Sequence, residues 1–181
     1  MNESEKTRIS KFLSLVLRHE PGKIGITLDA SGWVEVEELL QKMGASGKRI
    51  SRDILRLVVS TNEKKRFEFS ADERHIRASQ GHSVEVDLGY TEKVPPEILY
   101  HGTAARFVEM IREKGLLKMD RHDVHLSAEA KMTLQVGARR GSPALLTILA
   151  GEMHRAGMVF KQSTNGVWLT EEVPPQYIVF P

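Results

Sequence analysis

The segment FLSLVLRHEPG, residues 12–22, sets Arg18 and His19 side by side immediately ahead of a glutamate and a proline. A guanidinium offers paired donors to a phosphate, and an imidazole titrates near neutrality, so the two together could hold an oxyanion and exchange a proton beside it. Cations in the last turn of a helix also favour the negative end of its dipole, by roughly 0.3–1 kcal/mol, and that account needs no ligand. LYHGT (99–103) and VHLS (124–127) share a form in which an apolar strand start runs into polar residues. His101, Gly102 and Thr103 could present donors at a sheet end or simply make a turn. Ser127 is suited to cap a following helix whatever else it does. HDVH brings His122 and His125 close in sequence. With no H-E-x-x-H and no recognisable third ligand, no metal is expected. The chain lacks a G-x-S-x-G elbow, a G-x-G-x-x-G turn and a P-loop, and it has no cysteine. A nucleophile elbow, a Rossmann pyrophosphate loop and thiol chemistry are therefore excluded.

The elements that must carry these residues follow from periodicity. Ile9, Phe12, Leu13, Val16 and Leu17 form one apolar helical face, and Pro21 ends that helix near His19. A short extended piece at GITLD, a turn at DASGW, a helix over VEVEELLQKM ended by Gly44, and a helix over RDILRLVV come next. A hairpin of RFEFS and HIRAS joined by ADER closes the first half. Three helices and a hairpin are the order of a winged helix. Pro95 and Pro96 mark a boundary near residue 94, giving expected lobes of 1–94 and 95–181. The second lobe reads as strand ILYHG, helix AARFVEMIREKG ended by Gly115, strand VHLS, helix AEAKMTLQVG and strand ALLTILA. Further strands at MVFKQ, GVWLT and QYIVF complete an expected α+β lobe with one mixed or antiparallel sheet.

Composition narrows the class. The chain is 40% hydrophobic and 28% charged, which suffices for a packed core. No apolar run approaches the roughly 20 residues of a membrane helix. The polar start MNESEKTR lacks a signal's apolar region, so a cytoplasmic protein is expected. The net charge of +2 is too small to argue for a polyanion partner, but Lys42, Lys48, Arg49, Arg52, Arg56, Lys64, Lys65 and Arg66 cluster against only Asp53 and Glu63. That cluster is either a phosphate-facing surface or a solvated helix face.

Taken in order, LSLVLRHEPG, KKRFEF, IRASQGHS, LYHGT, VHLS, VGARRG and NGVWLT resemble the RNA 2′-phosphotransferase family over nearly the whole chain. The resemblance implies an N-terminal winged-helix lobe that binds RNA and a C-terminal ADP-ribosyltransferase-like lobe that binds NAD+. It implies that Arg18, His19, Arg66 and Arg139 surround the phosphate, drawn from both lobes. His101, Gly102, Thr103, His125, Ser127, Asn165 and Gly166 are implied parts of the NAD+ pocket. Lys64, two before Arg66, would face the same way on a strand and is an auxiliary phosphate contact. The implied reaction removes an internal 2′-phosphate, as at a tRNA splice junction, through RNA-2′-phospho-ADP-ribose. It yields a 2′-hydroxyl, nicotinamide and ADP-ribose 1″,2″-cyclic phosphate, with NAD+ consumed, no metal, and no obligate protein partner. Two other expectations stay open: ADP-ribosyl transfer to terminal phosphates of RNA or DNA, and a winged-helix RNA-binding protein without catalysis.

Overall fold

A computed structural model describes residues 1–131, 133 and 141–181. The chain divides into two compact units, residues 1–89 and 90–181, each with its own apolar core.

In the first unit, α1 (Glu3–Arg18) starts on a capping box in which Asn2 and Glu5 satisfy each other's backbone N–H groups. Its buried face carries Leu13, Val16 and Leu17, as the periodicity requires. The helix stops at His19, and Pro21–Lys23 form a single 3-10 turn. The GITLD stretch is not part of a sheet. The helix expected from Val34 begins two residues late, because Val34 and Glu35 form β1 and pair with Ile76 and His75. Strand pairing there overrides helical periodicity. The following α2 (Val36–Ala45) runs through Gly44. Its left-handed stop is Gly47 at φ 80°, with Lys48 N–H donating to the Met43 carbonyl at 2.9 Å and Gly47 N–H to the Gly44 carbonyl at 3.1 Å, a Schellman closure. Ser51 caps α3 (Arg52–Ser60). The hairpin of β2 (Phe67–Phe69) and β3 (His75–Ala78) completes an antiparallel sheet of order β1-β3-β2.

The second unit begins ahead of the proline pair. Lys93 N–H donates to the Phe160 carbonyl, and Glu92 bridges Lys161, so residues before Pro95 already belong to its framework. Its longest ladder pairs β4 (Leu99–Ala104) with β7 (Pro143–Ile148), and β7 also pairs with β11 (Ile178–Val179). A second sheet has the order β6-β9-β8, built from Val124–Leu126, Trp168–Thr170 and Lys161–Gln162. A third pairs β5 (Leu116–Leu117) with β10 (Glu172–Val173). The single sheet expected from sequence is thus several small antiparallel ones. The link between β4 and β6 is one residue pair wide, Tyr100 and Ser127 exchanging both backbone hydrogen bonds at 2.7 and 2.9 Å. After a 3-10 turn at Ala105–Phe107, α4 (Val108–Lys114) ends at Gly115, whose φ of 76° and close approach to the Val173 carbonyl admit no side chain. A further helix, α5 (Ala150–Arg155), buries Ala150, Gly151 and Met153. Half of the expected AEAKMTLQVG helix, residues 132 and 134–137, lies outside the described residues.

Candidate active site

The C-terminus of α1 is pinned. His19 N–H and Glu20 N–H both donate to the Leu15 carbonyl, at 3.0 and 2.8 Å. The Arg18 carbonyl, one of the groups a helix end leaves without an internal donor, accepts from the N–H groups of Ser83 and Val84 at 2.9 and 3.3 Å. Arg18 is half-buried, its Nε and Nη2 shielded from solvent, whereas His19 is exposed. The His19 Nδ1 lies 2.8 Å from the Ser83 hydroxyl. A guanidinium and an imidazole are therefore offered from a fixed main chain.

Arg66 sits just ahead of β2. Its N–H donates to the Asn62 side chain at 3.2 Å, and its carbonyl accepts from Ser79 N–H at 2.9 Å, extending the β2–β3 ladder by one rung. Lys64 does not lie on a strand. Lys64 lies in a turn closed by Lys65 N–H on the Asn62 carbonyl, and Lys65 has a φ of 43°, so the two-residue parity with Arg66 is lost. The basic cluster is also partly committed. Arg52 is bonded to Glu37 and to the Glu73 carbonyl, Arg56 to Glu73, and the Lys48 ammonium lies 4.9 Å over the Phe12 ring. Arg139 lies outside the described residues.

In the second unit, sheet register gathers the other expected residues. Tyr100 and Ser127 pair, and the neighbouring His101 has Nδ1 3.0 Å from the His125 carbonyl. A carbonyl only accepts, so Nδ1 carries the proton, and a neutral His101 ring keeps its lone pair on Nε2. A bond from Arg121 to His125 requires the opposite tautomer. The Arg121 guanidinium, which can only donate, lies 3.4 Å from its Nδ1. Arg121 stands directly before the HDVH run, and nothing in its sequence position marks it. Among the described residues no group of histidines and carboxylates could hold a metal ion.

Gly102 has no room for a side chain, because a Cβ there would come within 1.9 Å of the Thr133 carbonyl oxygen. The β4 backbone thus packs directly on the segment that follows Ser127, with Thr103 next along the strand opposite Ala144. Ser127 Oγ accepts from Glu129 N–H at 3.0 Å, a local turn that orients the chain ahead of that segment. Leu126 pairs with Trp168, so Ser127 and the turn holding Asn165 and Gly166 lie at the same end of the β6-β9 ladder. Gly166 takes φ 83°, and Ser163 bonds the Asn165 side chain within this turn. Ladder register thus sets Ser127 and the Asn165–Gly166 turn at one end of β6-β9, and one hydrogen bond ties the His101 ring to the His125 backbone. Asp123, half-buried beside His125, has its carboxyl pushed above the usual carboxylate range by desolvation, against the pull of Lys161, His122 and Lys118.

Known proteins match nearly the whole chain. Residues 4–172 match the model of the RNA 2′-phosphotransferase, Tpt1 / KptA family. The chain is 52% identical to a probable RNA 2′-phosphotransferase of Flavobacterium johnsoniae, over 99% of each chain. It is 52% identical to one of Burkholderia pseudomallei, covering 97% of this chain and 95% of that one, and 53% identical to one of Rhodopirellula baltica, covering 95% and 94%. A helix end that fixes a guanidinium and an imidazole, and a polar sheet end in the second unit, thus occur in a chain that belongs to the RNA 2′-phosphotransferase family of enzymes.

Proposed function

We propose that this enzyme removes an internal 2′-phosphate from RNA, of the kind left at a tRNA splice junction, and consumes NAD+ in doing so. The carrying observation is that Arg18 and His19 are seated on a pinned helix end in a chain of this family. The first unit's three helices and β1-β3-β2 sheet support a winged-helix lobe for RNA. The polar sheet end of the second unit supports an ADP-ribosyltransferase-like lobe. Its imidazoles, the Ser127 hydroxyl and the Arg121 cation suit a ligand that carries ribose hydroxyls and an anionic pyrophosphate.

NAD+ supplies an electrophilic ribose carbon and nicotinamide as leaving group. The chain's residues then act at phosphate. Arg18, Arg66 and Arg139 bind the 2′-phosphate and orient one oxygen toward C1″. As the new C–O bond forms, the bond to nicotinamide breaks and its electron pair leaves with the ring. In the second step O2″ attacks phosphorus, the bond from phosphorus to O2′ breaks, and the proton lost from O2″ is balanced by one gained at O2′. His19 holds or moves that proton. The arginines stay charged throughout and neutralise phosphoryl charge without a metal.

Incubation of the purified protein with NAD+ and an oligonucleotide bearing one internal 2′-phosphate tests this reading. Release of a 2′-hydroxyl oligonucleotide, nicotinamide and a cyclic phosphate of ADP-ribose in equal amounts is expected. ADP-ribosylated nucleic acid as the end product, or RNA binding without nicotinamide release, would overturn it.

A further inference from the structure

We infer that Ser83 is the positioning residue for His19. The inference rests on the proposed role of His19 and names the group through which that role is exerted. The hydroxyl of Ser83 lies 2.8 Å from His19 Nδ1, while the N–H of the same residue holds the carbonyl of Arg18. One residue, 64 positions from His19 in sequence, thus fixes both the main chain of Arg18 and the ring of its neighbour. The strap that carries it is itself anchored. Ser79 donates through N–H to the Arg66 carbonyl and through Oγ to the Lys65 carbonyl, and His82 is 1% exposed, against Gly32. Ser83 is exposed at the end of this anchored run.

The chemistry of a hydroxyl suits this position. When Nδ1–H donates to Oγ, the same bond persists in the imidazolium and in the neutral ring whose lone pair is on Nε2. A proton can then be gained or lost at Nε2 without the ring turning. The exposed hydroxyl hydrogen remains available to water. A carboxylate in place of Ser83 would instead favour the imidazolium strongly, holding the proton that the second step must move. Ser83 makes no contact with the reacting atoms in this scheme and acts on them through His19.

Ser83→Ala tests the assignment with little risk to the fold, because it keeps both backbone bonds to Arg18 and removes only the hydroxyl. Turnover of the 2′-phosphorylated oligonucleotide is expected to fall about 10- to 100-fold, as it does when the hydrogen-bonded partner that orients a metal-bound imidazole is removed. KM for NAD+ and for RNA should stay within about twofold, and Ser83→Thr should restore most of the loss. Nitrogen NMR of the His19 ring should shift from Nδ1–H toward Nε2–H in the neutral form, a change that loosening of the strap alone would not produce. In a His19→Ala background, Ser83→Ala should cost nothing further. The inference is overturned by parental turnover in Ser83→Ala, by a loss confined to KM for RNA, or by an additive loss in the double variant. If His19→Ala itself turns over like the parent, the role proposed for His19 falls and the inference with it. An inactive His19→Ala beside a fully active Ser83→Ala overturns the inference alone.

Discussion

At the residue scale the two steps of the proposed reaction make different demands on the side chains. The first displaces nicotinamide, which is already a cationic leaving group, so it needs positioning more than added positive charge. The second builds charge at a crowded phosphorus and needs a proton moved at oxygen. In the proposed scheme that second demand falls on Arg66, fixed on its main chain by Asn62 and Ser79, and on His19, bonded to Ser83. We expect His19→Ala and Arg66→Ala to release nicotinamide and accumulate RNA-2′-phospho-ADP-ribose. For Arg66→Ala the second step should slow about 10²- to 10³-fold, the cost of removing one donor aimed at developing charge. Substitution of His101 or Ser127 should weaken NAD+ use before any intermediate forms. Single-turnover assays at saturating NAD+ and RNA read both outcomes, and equal loss of both steps in the His19 and Arg66 variants would refute the division.

At the element scale, one buried ion pair ties the hairpin of the first unit to its surroundings. Arg77 on β3 donates to Glu68 on β2 at 2.7 Å, donates to the Ser31 and Leu88 carbonyls, and stacks 4.4 Å over Trp33. Arg77→Met should cost about 3 kcal/mol by stranding Glu68, and adding Glu68→Met should recover much of it, as denaturant unfolding would show. Asp123, beside β6, gives a pH signature instead. Its raised carboxyl pKa means that the folded chain binds more protons than the unfolded one above the ordinary aspartate value of 3.8. Its contribution therefore becomes less favourable as pH rises through that window. Asp123→Asn should raise Tm at pH 7 and leave it near the parent's at pH 3, as calorimetry would read. Elements with a full local signal were legible in the sequence: α1 by its apolar stripe and Pro21, α3 over RDILRLVV, and the β2–β3 hairpin by ADER. Those set by long-range pairing were not. Leu116–Leu117 and Glu172–Val173 become strands only because each pairs with the other, and α5, six residues with Gly151 in its interior, has too little period to declare itself. The same limit applied to the candidate site. His101 and His125 could be named from their motifs, but Arg121 and Ser83 acquire partners only through folding.

At the scale of the whole molecule, the two cores share no residue. Leu13, Val16, Leu17, Leu39, Leu55 and Ile76 belong to the first, and Leu99, Leu126, Leu146, Ile148, Met153 and Phe160 to the second. Chains of this length can bury enough surface to fold alone. Among the described residues each ladder, too, closes within its own unit: β1-β3-β2 before residue 89, and the other three sheets after residue 90. Fragments 1–89 and 90–181 should therefore each unfold cooperatively when prepared separately. The proposed division of labour then makes distinct demands on them. NAD+ at about 100 times its Kd should stabilise fragment 90–181 by about 2.7 kcal/mol, a Tm rise of about 10–20 °C, and leave fragment 1–89 unmoved. Fragment 1–89 should bind 2′-phosphorylated RNA with an affinity that falls as salt rises, because its contacts are to phosphate. Neither fragment alone should release nicotinamide, since Arg18, His19 and Arg66 lie in one and the His101, His125 and Ser127 group in the other. A Tm shift of fragment 1–89 with NAD+, or nicotinamide release by fragment 90–181 alone, would show that the division runs elsewhere in the chain.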